Sequence, residues 1–481
     1  MEGFELPAIR SLVLIAVLLS GCRGKGPAVE VAPREEESQF RLKFKDCNLV
    51  FVSFDALQAA HVGALGYKRN VTPTIDSIAK QGTLFTRVYS VASWTVPASM
   101  TWFTGVYPSE HRMTNKFAIY TPGLKKPANL KEMSPALITL AEILRLNGYA
   151  TGGFTGNAGV SGGFGYEQGF DTYFYEQGKF GGFNLSMPKA IEWLKANKDK
   201  KFFLFLHGYD CHGQYSPAEG YDYRYVDRDY DQRYTGSETE QEVLREEGLE
   251  NGQLTLRDGD VRFWRAVYDE KINRADERFR QFLTEFEKLG VSDKTLFILT
   301  SDHGTEVYEH RRLDHGFTLY DEQIHVPLII RCPGMAGGKR IADRVSSIDI
   351  MPTLLDLLDI NTHSLKDQLR GQSLVSAMQG EPVRRDCYSE TNYREYTFKR
   401  SIINPEGWKL ILTLEKKSRE LYNLESDPAE SVNLEAKEKK LADQLEEKLY
   451  AYFKSIGHDL TGKRWETGLN PVYSSQGNPK K

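Results

Sequence analysis

The sequence predicts an α/β fold with a large, mostly parallel central sheet flanked by helices. From Cys47 onward, short apolar runs of strand length alternate with longer amphipathic stretches, the pattern of parallel strands joined through helical crossovers. Three of these runs also share a chemical ending. Asn48–Phe54 (NLVFVSF) stops at Asp55, residues 202–206 (FFLFL) stop at His207, Asp210 and His212, and residues 295–300 (TLFILT) stop at Asp302 and His303. In open α/β sheets the ligand site lies beyond the carboxyl ends of the strands, so polar groups far apart in sequence can converge there. A convergent set of Asp and His is what a metal site needs. Singly, an Asp after a strand is more often a turn former or helix cap. Three coincident strand ends favour the site.

Composition bounds the function. Lys and Arg number 62 against 66 Asp and Glu, a net charge of −4, too balanced for a protein that holds nucleic acid through phosphate attraction. With 40% hydrophobic residues, the 481-residue chain has ample core material for one large domain or two to three ordinary ones. No run reaches the roughly 18 apolar residues of a membrane-spanning helix. Five cysteines in such a length do not make a disulfide scaffold, and the pairing of Cys47, Cys211, Cys332 and Cys387 stays open.

The N-terminus reads separately from the fold. Residues 12–19 (LVLIAVLL) follow Arg10, are too short to span a bilayer, and run into Ser20, Gly21 and Cys22, as a secretory signal does. The LSGC stretch resembles the bacterial lipoprotein box, which implies lipidation of Cys22 as the mature N-terminus; an ordinary cleaved signal is the alternative. Glu2 and Glu5 offset Arg10 and weaken the usual positive start. Residues 1–21 are thus expected to be a signal peptide and 22–44 a polar tether holding the domain off a membrane. Arg23, in place of Asp after the lipidated Cys, fits outer-membrane retention in lipoprotein relatives. The expected location is the bacterial envelope, at the outer membrane or periplasm.

Thr95 is the candidate for the chemistry. It precedes Pro97, and residues 98–104 read as a short helix with Pro97 in the first turn, where its missing N–H does little harm. That places the Thr95 hydroxyl at a helix N-terminus, which favours an anion. Metal coordination would activate an otherwise weak nucleophile. Taken alone, Thr95 reads more simply as an N-cap, and its weight as a nucleophile comes from what surrounds it.

The chain carries, in order, VSFDALQAAHVGALGY (52–67), TPTIDSIAKQGTLF (72–85), SWTVPASMTWFTGVYPSEH (93–111) and TSDHGTEVYEHRRLDHG (300–316), with further stretches from GFGYEQGFD (163–171) to ELYNLESDPAESVNL (420–434). This set gives it a resemblance to the sulfatase family of the alkaline phosphatase superfamily. It implies an alkaline-phosphatase-like catalytic domain over 45–380, a small C-terminal antiparallel-sheet-plus-helix subdomain over 385–455, and a tail over 456–481. Within the family's nucleophile motif, Thr95 falls where Cys or Ser is converted to formylglycine, Pro97 on the Pro, and Ser99 where the family has Arg. Thr is not a substrate for that conversion. A Thr here resembles the phosphodiesterases and phosphotransferases of the superfamily.

The metal set departs in the same direction. The resemblance implies paired Asp after the first strand and Asp-Asn after the later one; here Ala56 follows Asp55 and His303 follows Asp302. An imidazole ligand suits zinc or manganese rather than calcium. The expected site is Asp55, Thr95, Asp302 and His303, with His212 and His315 facing the same pocket as catalytic groups. Asp210 could contact substrate or, with His212 and His315, hold a second metal. His310 is expected to be structural.

These parts imply a lipid-anchored, metal-dependent ester hydrolase in which Thr95 attacks phosphorus and a phospho-threonine is then hydrolysed. Without an Arg clamp, the expected substrates are phosphate diesters, monoesters or phosphonate esters. The alternatives are a sulfuric ester hydrolase, a phosphoethanolamine-type transferase and a non-catalytic binding lipoprotein. Residues 217–260, rich in Tyr, Asp, Glu, Arg and Gly and without sustained periodicity, read as an insertion serving as a lid or a mobile loop. Near the C-terminus, residues 408–414 and 420–424 read as antiparallel strands and 435–453 as an amphipathic helix. Oligomeric state is not legible.

Overall fold

Asn48–Phe54 (β1) is buried along its whole length and apolar at all but Asn48 and Ser53, because both of its faces are covered. Leu49 and Phe51 join one core cluster and Val50, Val52 and Phe54 another, the period of two that a strand imposes. The same division recurs in Phe202–Gly208 (β5) and Thr295–Thr300 (β6), where Phe203, Phe205, Leu296 and Ile298 face one cluster and Leu204, Leu206, Phe297 and Leu299 the other. This is a computed structural model describing residues 42–113, 133–156, 158–176, 181–213, 216–218, 220–393 and 397–461. The signal peptide, Cys22, Arg23 and most of the tether lie outside the described residues.

The remaining strands, in chain order, are Thr83–Tyr89 (β2), Ala150–Phe154 (β3), Thr172–Phe174 (β4), Glu306–Val307 (β7), Leu313–Asp314 (β8), His325–Arg331 (β9), Lys339–Ser346 (β10), Cys387–Tyr393 (β11), Thr397–Ile403 (β12), Trp408–Thr413 (β13) and Ser418–Asn423 (β14). The central sheet has the order β10-β2-β9-β6-β1-β5-β3-β4, parallel except that β9 runs against both neighbours. The expected large, mostly parallel sheet is therefore present. Its three marked strands are adjacent, with Ser53 of β1 opposite His207 of β5 and Thr300 of β6. That register brings their polar endings to one edge.

A second, four-stranded antiparallel sheet, β11-β12-β13-β14, follows. It is covered by the helix Lys439–Ser455, whose Ala442, Leu445, Leu449 and Phe453 recur at helical spacing and pack with Ile402, Leu410 and Leu421. The helix starts later than the charge pattern suggests, and the sequence reading found two of the four strands. Ile456, His458 and Leu460, from the expected polar tail, are buried, and His458 Nε2 is 3.0 Å from Arg400 Nη2.

The insertion differs from its sequence reading. Part of it, Glu238–Asn251, is a helix with a capping box in which Ser237 accepts from the Glu240 N–H. It buries only Gln241, Leu244 and Gly248. A face so poor in apolar residues leaves no hydrophobic period to detect. Among the described residues no helix is long and apolar enough to cross a membrane.

Candidate active site

The helix carrying Thr95 runs from Thr95 to Thr104, three residues earlier than the sequence reading, and every residue in it is buried. It ends at Gly105, whose φ of +67° is the left-handed conformation a helix C-terminus favours and whose missing Cβ leaves room for Leu369. The N-cap is Trp94, with no side-chain cap bond. Thr95 is thus not spent on capping: its Oγ1 lies 3.3 Å from Asp55 Oδ2 and 3.2 Å from His303 Nε2. Its methyl lies against Gly159, where a Cβ would come within 2.8 Å of Thr95 Cγ2.

Asp55, Asp302 and His303 are all fully buried. Their ligand atoms lie within 4.8 Å of one another, and among the described residues they form the one group of three or more such side chains with metal-ligand spacing. Asp302 Oδ1 accepts from the Ala56 and His303 N–H groups at 3.1 and 3.0 Å, whereas its buried Oδ2 has no hydrogen-bond donor. His303 Nδ1 donates to the Gly304 carbonyl at 2.7 Å, which leaves the Nε2 lone pair facing the carboxylates, 3.4 Å from Asp302 Oδ2. Burial holds the His303 imidazole below its ordinary pKa, so that lone pair is available. Two buried carboxylates, an undonated oxygen and a turned-in imidazole fit a divalent cation, because removing two anions from water needs compensating charge. Mixed nitrogen and oxygen donors suit zinc or manganese.

The strand ends are tied together around this group. Ser301 Oγ lies 2.6 and 2.7 Å from the Phe54 and His303 carbonyls, either of which can take its one proton, and accepts from the Leu57 N–H. Ala56 takes φ +58°, and its N–H points at Asp302. His207, named at the strand end but given no role by sequence reasoning, donates toward Asp55 Oδ2 at 3.2 Å. Burial pushes its pKa down to about 4 and keeps it neutral. Its place opposite Ser53 was the available signal.

His315 and His212 join the cluster as expected. The His315 ring lies 4.3 Å from His303 and 4.8 Å from His212, centroid to centroid. Burial, then His315, depresses the His212 pKa. His315 Nδ1 is 2.7 Å from Asp314 Oδ1. Burial alone would raise the Asp314 pKa, but His315 and Arg245 outweigh it and keep the carboxylate ionised. Asp210 is engaged elsewhere: it accepts from the Phe183 N–H at 2.6 Å and from Arg278 at 2.5 Å. The possible second metal at Asp210, His212 and His315 therefore has no matching cluster among the described residues. Ser99, at the family's Arg position, is fully buried. His310 bonds Glu322 at 2.7 Å, a structural role.

A family model described as Sulfatase matches residues 47–360, and one described as N-sulphoglucosamine sulphohydrolase, C-terminal, matches residues 308–455. The chain belongs to the sulfatase family. Sulfatase-family relatives include an N-acetylglucosamine-6-O-sulfatase of Bacteroides thetaiotaomicron, 24% identical over 92% of this chain and 90% of its own length. Arylsulfatase K of Bos taurus is 27% identical, but the match covers 44% of this chain and 42% of that relative, so the chain spans under half of it. The sulfatase fold is shared with a structure bound to its substrate D-glucosamine-2-N,6-O-disulfate (TM-score 0.68, 19% identity, 88% of this chain and 100% of that one). It is shared too with the phosphonate monoester hydrolase of Agrobacterium radiobacter (TM-score 0.66, 22% identity, 85% and 96%).

Proposed function

We propose that the protein is an exported, metal-dependent ester hydrolase in which Thr95 attacks the substrate directly, cleaving phosphate diesters or monoesters or phosphonate esters. The observation that carries this reading is the Thr95 hydroxyl, turned from its own helix toward Asp55 and His303. With the His303 Nε2 lone pair turned to the metal site, Asp55 Oδ2 is the acceptor within reach of its proton. A divalent ion held by Asp55, Asp302 and His303 would supply charge that favours the Thr95 alkoxide and offsets the ester oxygens. The helix N-terminus adds the positive end of its dipole to receive an anion. As the Thr95 O–P bond forms and the P–O bond to the leaving group breaks, His315 or His212 gives that oxygen a proton, with Asp314 beside His315 stabilising the cation. Water then hydrolyses the phospho-threonine.

Ser99 in place of an arginine removes one compensating charge, which favours singly charged diesters and phosphonate monoesters over dianionic monoesters. A second reading, sulfate ester hydrolysis, is favoured by the sulfatase names of the matched relatives. The purified protein assayed on matched aryl phosphate, phosphodiester, phosphonate and sulfate esters separates the two: a strong preference for sulfate overturns the choice of phosphorus. Thr95→Ala is expected to abolish turnover while leaving the protein folded. In the same proposal, export leads to a lipid anchor at Cys22 in the bacterial envelope. Cys22→Ser is expected to move the protein from the membrane to the soluble envelope fraction, and continued membrane association would refute the anchor.

A further inference from the structure

The insertion helix Glu238–Asn251 reaches the histidines of the proposed site through polar contacts. Arg245 Nη1 donates to Asp314 Oδ2 at 3.2 Å. The other oxygen of that carboxylate accepts the His315 N–H at 2.9 Å and lies 2.7 Å from His315 Nδ1. The remaining guanidinium nitrogens are engaged as well, Nε with Glu246 at 3.1 Å and Nη2 with Glu246 and Glu242 at 3.0 and 3.3 Å. With all three nitrogens bonded and its side chain 14% exposed, Arg245 is not placed to clamp a substrate anion. On the same helix, Gln241 lies against Gly213, beside His212; a Cβ on Gly213 would come 2.4 Å from Gln241 Nε2.

Two further features show that Asp314 is held in place. It has φ +86°, in the left-handed region that residues bearing a Cβ rarely occupy and that persists only where surroundings over-determine it. It is also the last residue of β8, paired with Glu306 of β7. The insertion is fastened to the same hairpin: Leu254, fully buried, donates its N–H to the Arg311 carbonyl at 2.6 Å, and its carbonyl accepts from Tyr308 Oη at 3.1 Å.

We infer that Arg245 is a positioning residue for His315, acting through Asp314 to aim the imidazole at the leaving-group oxygen. The inference rests on the proposed reaction for its catalytic consequence and on geometry alone for the positioning. Arg245 bonds one carboxylate oxygen and fixes the other 2.7 Å from His315 Nδ1, a close charge contact without hydrogen-bond alignment. With the carboxylate beside Nδ1, Nε2 is the ring nitrogen left to give a proton to the departing oxygen. The insertion thereby becomes part of the machinery that protonates the leaving group.

The test uses the full chain as wild type, Arg245→Gln, Arg245→Lys, Asp314→Asn and Thr95→Ala, with p-nitrophenyl and phenyl esters of one phosphonate. The p-nitrophenolate leaves without a proton; the phenolate needs help. Arg245→Gln and Asp314→Asn are expected to lower kcat on the phenyl ester about tenfold more than on the p-nitrophenyl ester, a modest share of what general acids contribute. KM is expected to change little, and Arg245→Lys to recover part of the loss. The proton NMR spectrum of the unreacted protein is a second readout: the downfield imidazole N–H resonance that disappears in Asp314→Asn is expected to shift or broaden in Arg245→Gln. Equal losses on both esters, or an Arg245→Gln resonance unchanged from wild type, overturn the positioning role. A wild type inert on both esters, with the resonance still answering to Arg245, overturns the reaction and supports the positioning.

Discussion

Gly159 offers a substitution that moves Thr95 without altering it. An alanine there would place its Cβ 2.8 Å from Thr95 Cγ2, 2.9 Å from Thr95 Cβ and 2.9 Å from Tyr209 Oη. Favourable carbon contacts lie at about 3.5 Å and beyond, so roughly 0.6 Å of overlap must be relieved. Tyr209 is restrained, its hydroxyl accepting the Val160 N–H at 3.1 Å. Thr95 is β-branched and stiff at χ1, so it moves with its helix end rather than by rotating away. If the overlap is shared between the two sides, Thr95 shifts by about 0.3–0.6 Å. Since misplacing a reacting group by 1 Å costs on the order of 100-fold, kcat is expected to fall about tenfold, or about 1.4 kcal/mol in activation free energy. The assay compares kcat for wild type, Gly159→Ala, Thr95→Ser and the double variant on one p-nitrophenyl ester. Thr95→Ser removes the Cγ2 methyl but keeps the Cβ at 2.9 Å, so the double variant is expected to recover only a small part of the loss relative to Thr95→Ser. A kcat for Gly159→Ala within twofold of wild type would rule out this displacement of Thr95.

Two other outcomes follow from the same geometry. Asp302→Asn removes the charge of the oxygen that lacks a donor, and is expected to reduce bound divalent metal by at least about 100-fold in affinity, measured by elemental analysis and titration; wild-type metal content would place the ion elsewhere. His111, buried beneath the Thr95 helix with Nε2 donating to the Pro97 carbonyl, has its pKa pushed by burial from 6.5 down to about 3. Between those values the unfolded chain binds the proton and the folded chain does not. Its contribution is therefore complete above pH 6.5 and is lost as pH falls toward 3, at up to about 1.4 kcal/mol per unit. Denaturant unfolding across that range is expected to show a shallower acid slope in His111→Gln, and an unchanged slope would contradict the assignment.

The central strands were legible because burial on both faces makes them continuous apolar runs, and β1 and β6 fall where the sequence places them. Their convergence was legible too, since a parallel sheet lines up its carboxyl ends. The hidden parts are those held by polar contacts. The insertion helix is marked locally by a capping box and a left-handed Gly252 at its end but by no apolar period, and Asp210 is engaged by Arg278, a partner distant in sequence. Likewise Asp314 and Arg245 are 69 residues apart, and no local pattern links an arginine on an insertion to a carboxylate beside His315. Gly159 matters through the space it leaves for Thr95, which only the folded chain defines.

In the proposed reaction Thr95 forms the covalent bond to phosphorus. Rapid acid quench during turnover of a phosphonate or phosphodiester substrate, followed by peptide mass spectrometry, reads this directly. The expected result is a phosphonyl or phosphoryl adduct on the peptide containing Thr95, absent in Thr95→Ala, which has no turnover. A Thr95→Ala protein that turns over at the wild-type rate, with no adduct on that peptide in the wild type, would contradict it.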